Sequence, residues 1–280
     1  MQKVSDTKYR LAESPFYDPR TKKLTWVDIL AGKLYMMDED NKISSASFSC
    51  PIGAAVPAQK PGDYVICGQK MLCLFSNDEA VTVIKCVSDI YESFRRSNDA
   101  KADPAGRLWF GSSVNDSEHE PSGKLFCLEG GNITVKQDNT RISNGMAWNK
   151  DRTKFYFSDS LFHCIFEYDY DLKTGEISNR REFYRFTDGV PDGMCIDSED
   201  CLWIAVWGGS RIERVDTRTG KLMSTLKVPA KNVTSCCFCG DDMKTLFITT
   251  SGDDLDGEGD GLVYFENVDV SGPAPDYVIL

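Results

Sequence analysis

Apolar residues along this chain come in short runs separated by polar turns, and they do not recur at helical spacing. The strongest runs are "KLTWVDI", "DYVICG", "RLWFGSS", "KFYFSDS", "CLWIAVW" and "TLFITTS". Each is rich in Trp, Tyr, Phe, Ile or Val, the residue types that fit a pleated, buried surface. A shorter strand-like stretch and a polar turn precede each run. A third strand follows ("GKLYMMD", "GKLFCLE", "HCIFEYD", "SRIERVD", "GLVYFEN"), and usually a fourth ("KISSASF", "AVTVIKC", "EISNRREF", "KLMSTLKV"). Pro and Gly gather between strands, so the pattern predicts an all-β chain of antiparallel meanders.

The meander repeats. Counterpart units begin at Glu13, Ala54, Asn98, Asn144, Asp192 and Ser235, spaced 41 to 48 residues apart. A four-stranded sheet cannot bury both of its faces alone, but six arranged radially cover one another. The expectation is one domain over residues 1–280: a six-bladed β-propeller with four antiparallel strands per blade and a central channel. The tight turns argue against a parallel solenoid. The last unit lacks a clear fourth strand, which either "PDYVIL" or the N-terminal "KVSDTKYRL" must supply; the N-terminal segment would close the ring.

This architecture gives "ISNGMAW" (142–148) two readings. Asn-Gly between apolar runs is a strong hairpin-turn signal. In a propeller, however, Asn144 begins the first strand of a blade, and the first strands line the central channel. "NGM" and "DGM" stand at the same place in consecutive units, whereas the turns of those units come later, at "NKDRTK" and "SEDC". Glu13, Asn98, Asn144 and Asp192 would then converge near one mouth. Repeat-related Asx turns are the alternative. Two carboxylates and amides without His or Cys suit a hard divalent cation, Ca²⁺, Mg²⁺ or Mn²⁺, with Zn²⁺ less well served. Three protein ligands would leave coordination positions open for water or substrate, as a catalytic metal requires.

Composition removes other classes. The formal net charge is −11 with no basic run, which argues against nucleic acid and anionic membranes as partners. "MQKVSDTKYR" lacks the apolar stretch of a signal peptide, and no 18-residue apolar segment occurs. Eleven cysteines are therefore read as reduced, mostly buried thiols of a cytoplasmic protein. "SCCFC" lacks the two separated Cys pairs of a zinc site. The two histidines, His119 in an acidic loop and His163 in a strand-like run, give no basis for a Ser-His-Asp hydrolase, and there is no G-x-S-x-G. No Gly-rich strand-to-helix loop offers a dinucleotide site. "DDLDGEGDG" (253–261) resembles a calcium loop, but counting from Asp254 puts Phe265 where an EF-hand needs Glu. A mobile acidic loop at a channel mouth is expected instead, and Asp103 in "DPAGR" reads as a turn residue.

Five segments, "ESPFYD", "NDAKADPAGRLWFG", "ISNGMAW", "YDYDLKTGEISNRR" and "PDGMCID", together resemble the regucalcin/gluconolactonase/luciferin-regenerating enzyme family of six-bladed propellers. The likeness runs in order from about residue 11 to residue 240. Family members hydrolyse sugar-acid lactones with a divalent metal, so the resemblance implies a gluconolactonase-like enzyme acting on a small sugar lactone. It places metal ligands on Glu13, Asn144 and Asp192, and the chemistry of that constellation makes Asp192 also the expected general base. It places substrate contacts on Arg96, Asn98 and Asp116, with Glu118 or Glu120 as alternatives to Asp116. Ala100 departs from the family, which usually has Gly there. Two rival functions share these residues: a calcium-binding propeller without turnover, and an organophosphate-hydrolysing phosphotriesterase.

Overall fold

The computed structural model describes the chain except residues 77–79, 88–89, 91–94, 115–118 and 121. Six four-stranded antiparallel sheets stand in a ring. Their inner strands are Ala12–Asp18, Ile52–Pro57, Arg95–Ala102, Ser143–Trp148, Val190–Ile196 and Asn232–Cys239, here numbered as blades 1 to 6. Each inner strand packs against those of its two neighbours, and the first meets the last. The six-bladed propeller expected from the repeat is the fold. One three-residue 3₁₀ turn, Ser160–Phe162, is the only helix among the described residues, and none is long enough to cross a membrane.

The core is distributed rather than central. Six hydrophobic clusters occupy the six seams between blades; Trp109, Phe155 and Phe157 fill the seam of blades 3 and 4, for example. Second strands such as Cys201–Trp207 are buried nearly throughout because both faces meet a neighbouring blade. Fourth strands such as Leu222–Lys227 are mostly exposed, which explains their weaker apolar signal. Among the described residues no disulfide forms, and most cysteines are buried.

The ring closes through the N-terminus. Gln2–Lys3 pairs antiparallel with the strand Tyr264–Asn267 and completes blade 6. "PDYVIL" instead crosses the opposite mouth: Val278 bridges Ala58 in parallel, and the Ile279 amide donates to the Gly106 carbonyl at 2.8 Å. Asp103 is a turn residue, as expected, accepting from the amides of Ala105 and Arg107, both at 2.9 Å. The acidic loop at 253–261 is tied down rather than loose. Asp260 accepts from the amides of Lys231 (2.7 Å) and Gly257 (3.1 Å), and Arg10 pairs with Asp253 at 3.0 Å. His163 ends the 3₁₀ turn in a left-handed conformation (φ 55°) and is exposed, so it does not continue the strand-like run.

Candidate functional site

Every inner strand slips register against its partner near the same mouth of the channel: between Glu13 and Phe16, Ile52 and Ala54, Ser97 and Ala100, Ser143 and Met146, Pro191 and Met194, and Val233 and Ser235. A bulge bends its strand and re-aims side chains that pairing would otherwise hold. Blades 3, 4 and 5 leave Asn98–Asp99, Asn144–Gly145 and Asp192–Gly193 unpaired there. Blade 1 leaves Ser14–Pro15 unpaired, and Glu13 still pairs with Val27, one position short of its counterparts. Ala54 and Ser235 are likewise paired, with Cys67 and Thr249. The unit starts aligned by sequence are thus equivalent only to within one residue.

Asn144 is not in a hairpin turn. Neither it nor Gly145 has a positive φ, and both lie inside the strand Ser143–Trp148. Gly145 is required by close approach: a Cβ there would sit 2.7 Å from the Asp192 carbonyl oxygen. Gly193 answers to the same constraint one blade later, where a Cβ would meet the Ser235 Oγ at 2.2 Å. The turns fall where the repeat put them, with Arg152 (φ 56°) and Asp200 (φ 67°) in left-handed conformations.

Glu13, Asn98, Asn144 and Asp192 are all only 5 or 6 % exposed. A chain of hydrogen bonds links blades 3, 4 and 5. Arg96 Nη1 donates to Asn98 Oδ1 at 2.5 Å, Asn98 Nδ2 to Asn144 Oδ1 at 2.6 Å, Asn144 Nδ2 to Ser160 Oγ at 2.7 Å, and Ser160 Oγ to the Pro191 carbonyl at 2.7 Å. Ser160 thereby fixes which end of the Asn144 amide faces the channel. Glu13 and Asp192 lie within electrostatic reach of each other. The Ser14 amide donates to Glu13 Oε2 at 2.8 Å, while Asp192 Oδ1 is buried without a hydrogen-bond partner among the described residues. Burial, then the neighbouring carboxylates, hold both carboxyls well above the usual carboxylate range. Burial also lowers the Arg96 guanidinium, and the charges of Glu13 and Asp192 offset part of that.

Buried carboxylates with an orphaned oxygen, together with a buried amide oxygen on the neighbouring inner strand, are a donor set suited to a hard divalent cation. Among the described residues no three His, Cys, Asp or Glu side chains could hold a metal ion by themselves. Of the expected substrate contacts, Arg96 and Asn98 join this cluster, Asp116 and Glu118 lie outside the described residues, and Glu120 is exposed. Sequence reading missed Ser160, which no motif marks, and Asp99. The latter's position directly after Asn98 at the start of a unit was the available signal.

The SMP-30/Gluconolactonase/LRE-like region matches residues 11–252. Regucalcin of Gallus gallus is 38% identical over 264 residues, covering 91% of this chain and 88% of that protein. "Putative sugar lactone lactonase YvrE" of Bacillus subtilis (strain 168) is 35% identical over 254 residues, covering 90% and 87%. The solved structure of a luciferin-regenerating enzyme superposes with a TM-score of 0.94 at 30% identity, covering 100% of this chain and 99% of that one.

Proposed function

Since the chain belongs to the SMP-30/gluconolactonase/LRE-like family, we propose that it is a divalent-metal-dependent lactonase that opens the ring ester of sugar-acid lactones. The observation that carries this reading is the buried Glu13–Asn144–Asp192 oxygen cluster, with Asp192 Oδ1 unsatisfied, beside the Arg96–Asn98 pair. Glu13, Asn144 and Asp192 would hold the cation. When bound, such an ion polarises a lactone carbonyl and acidifies water. Arg96 brings a guanidinium held in place by Asn98 Oδ1, suited to ring hydroxyls and to the negative charge that develops on the carbonyl oxygen. The Asn98 amide hydrogens are engaged by the Ser143 carbonyl and Asn144 Oδ1, so Asn98 would reach a lactone only by exchanging one of those bonds. The Asp192 carboxylate accepts the proton of the attacking water and returns it to the ring oxygen as the acyl–oxygen bond breaks. The product is an open hydroxy acid, so each turnover at neutral pH releases a proton.

A panel of aldonolactones followed by acid release tests the proposal, using protein stripped by chelator and reloaded with Ca²⁺, Mn²⁺, Mg²⁺ or Zn²⁺. Turnover should vanish on stripping and return on reloading. A stripped protein that keeps its full rate overturns the metal role. Tight cation binding without turnover of any lactone overturns the enzyme reading in favour of a binding propeller.

A further inference from the structure

A cavity of about 440 Å³ opens in the channel, and neither Arg96 nor Asn98 lines it. It lies in the channel beneath the oxygen cluster, is floored by the C-terminal segment Pro273–Asp276, and reaches Ser14, Asp99 and Ser235 at its upper end. Asp99 and Lys101, both on the inner strand of blade 3, line it. Asp99 occupies the bulge beside Asn98 and is only 7% exposed, and its Oδ1 accepts from the Ala100 amide at 2.8 Å. Lys101 Nζ is pinned across the channel to the Met194 carbonyl at 2.8 Å, two residues beyond Asp192.

We propose that Asp99 and Lys101 are positioning residues that set the electrostatic potential under the metal site from the back of the channel, Asp99 strengthening and Lys101 weakening its hold on a divalent cation. The inference rests on the metal-site reading above and extends it to two residues that touch neither the lactone nor the ion. Asp99 and Lys101 line one cavity with Ser14, which follows Glu13, and with Cys195, three residues beyond Asp192; burial raises the Asp99 carboxyl and Lys101 opposes that rise. Asp99 is not a further ligand, since no three acidic side chains converge among the described residues. The orphaned Asp192 Oδ1, on a side chain 5% exposed, marks where the missing positive charge belongs. Charges fixed this deeply act through a medium far less polarisable than water, so single-charge changes alter cation affinity by about 10-fold or more. Salt screens them weakly.

Calorimetric Ca²⁺ titration of the stripped protein tests this with wild type, Asp99→Asn, Lys101→Met and the double variant. Asp99→Asn should weaken Ca²⁺ binding by about 10-fold or more, and Lys101→Met should tighten it several-fold. The charge-neutral double variant should return to within about threefold of wild type. A merely structural role predicts weaker binding in every variant. Weakening by Lys101→Met, or no shift in either single variant while wild type binds Ca²⁺, overturns the inference alone. Wild type that takes up no divalent cation overturns the site reading together with it. If Asp99→Asn does not fold, judged by thermal melting, the sign of the Lys101→Met shift still decides.

Discussion

At the scale of single residues, Asn144 carries the sharpest consequence. A turn asparagine tolerates Gly and Asp, because both accept turn conformations. Asn144 instead sits in a strand with its amide clamped between Asn98 and Ser160. Asn144→Gly removes the neutral oxygen of the site and strands two buried polar partners. It should cost about 1–3 kcal/mol of stability and abolish metal-dependent lactone opening. Asn144→Asp keeps an oxygen but adds a third negative charge to Glu13 and Asp192. It should bind cation more tightly yet turn over more slowly, since the added charge reduces the ion's pull on the carbonyl. Metal content and kcat measured on the same samples check this, and a Gly variant with near-native turnover would remove Asn144 from the site. The link between Asn98 and Asn144 also means that Asn98 cannot be a substrate contact alone: truncating it disturbs a proposed ligand. Arg96 is one bond further away and separates the two roles more cleanly.

At the scale of elements, the bulged inner strand is the device that makes the site. Pairing alone would hold each side chain perpendicular to its sheet, against a neighbouring blade. Slipping the register turns Asn98, Asn144 and Asp192 toward the axis. The glycine that follows Asn144 and Asp192 lets adjacent inner strands come close enough for those side chains to share one cluster. Gly145→Ala should therefore drive its Cβ into the backbone of blade 5 at Asp192. The expected cost is about 1–3 kcal/mol, with a larger proportional loss of metal affinity, because the strand displaced is the one carrying Asp192. Thermal melting with and without cation checks both parts. A variant that melts like wild type would show that the neighbouring strand yields freely.

At the scale of the whole molecule, stability rests on seams between blades, and a ring of seams is only as secure as its closure. The closing strand is short: Gln2 and Lys3 pair with Phe265 and Tyr264, and the Val4 amide donates to the Val263 carbonyl at 2.9 Å. Deleting the first four residues leaves blade 6 with three strands. At about 1 kcal/mol per hydrogen bond, the loss is on the order of 3 kcal/mol, or roughly 6–12 °C in Tm for a domain of this size. Differential scanning calorimetry checks it, and an unchanged Tm would mean that the inner-strand ring holds without this closure. The closure also gives the two ends of the chain separate places. The N-terminal strand pairs in blade 6, leaving the C-terminal segment to floor the back cavity.

The fold was legible because every blade repeats the same local demand. A short apolar strand and a Gly- or Asp-containing turn recur six times, usually with an outer strand after them, and each copy confirms the others. The polar residues at the start of the inner strands were legible for the same reason, since Asn98, Asn144 and Asp192 break the apolar pattern at matching places. Their exact alignment was not. A register slip leaves no mark in composition, so Glu13 was set level with residues one position further along their bulges. The closing strand was likewise open between two candidate segments, because two paired residues carry too little apolar signal to choose between them. Ser160 and Asp99 gain their meaning only from neighbours 16 and more residues away in sequence, Ser160 from Asn144 and Asp99 from Glu13 and Asp192. Local sequence determined the strands and their number. The closeness of neighbouring inner strands, which depends on six seams packing at once, decided which oxygens meet and which one is left without a partner.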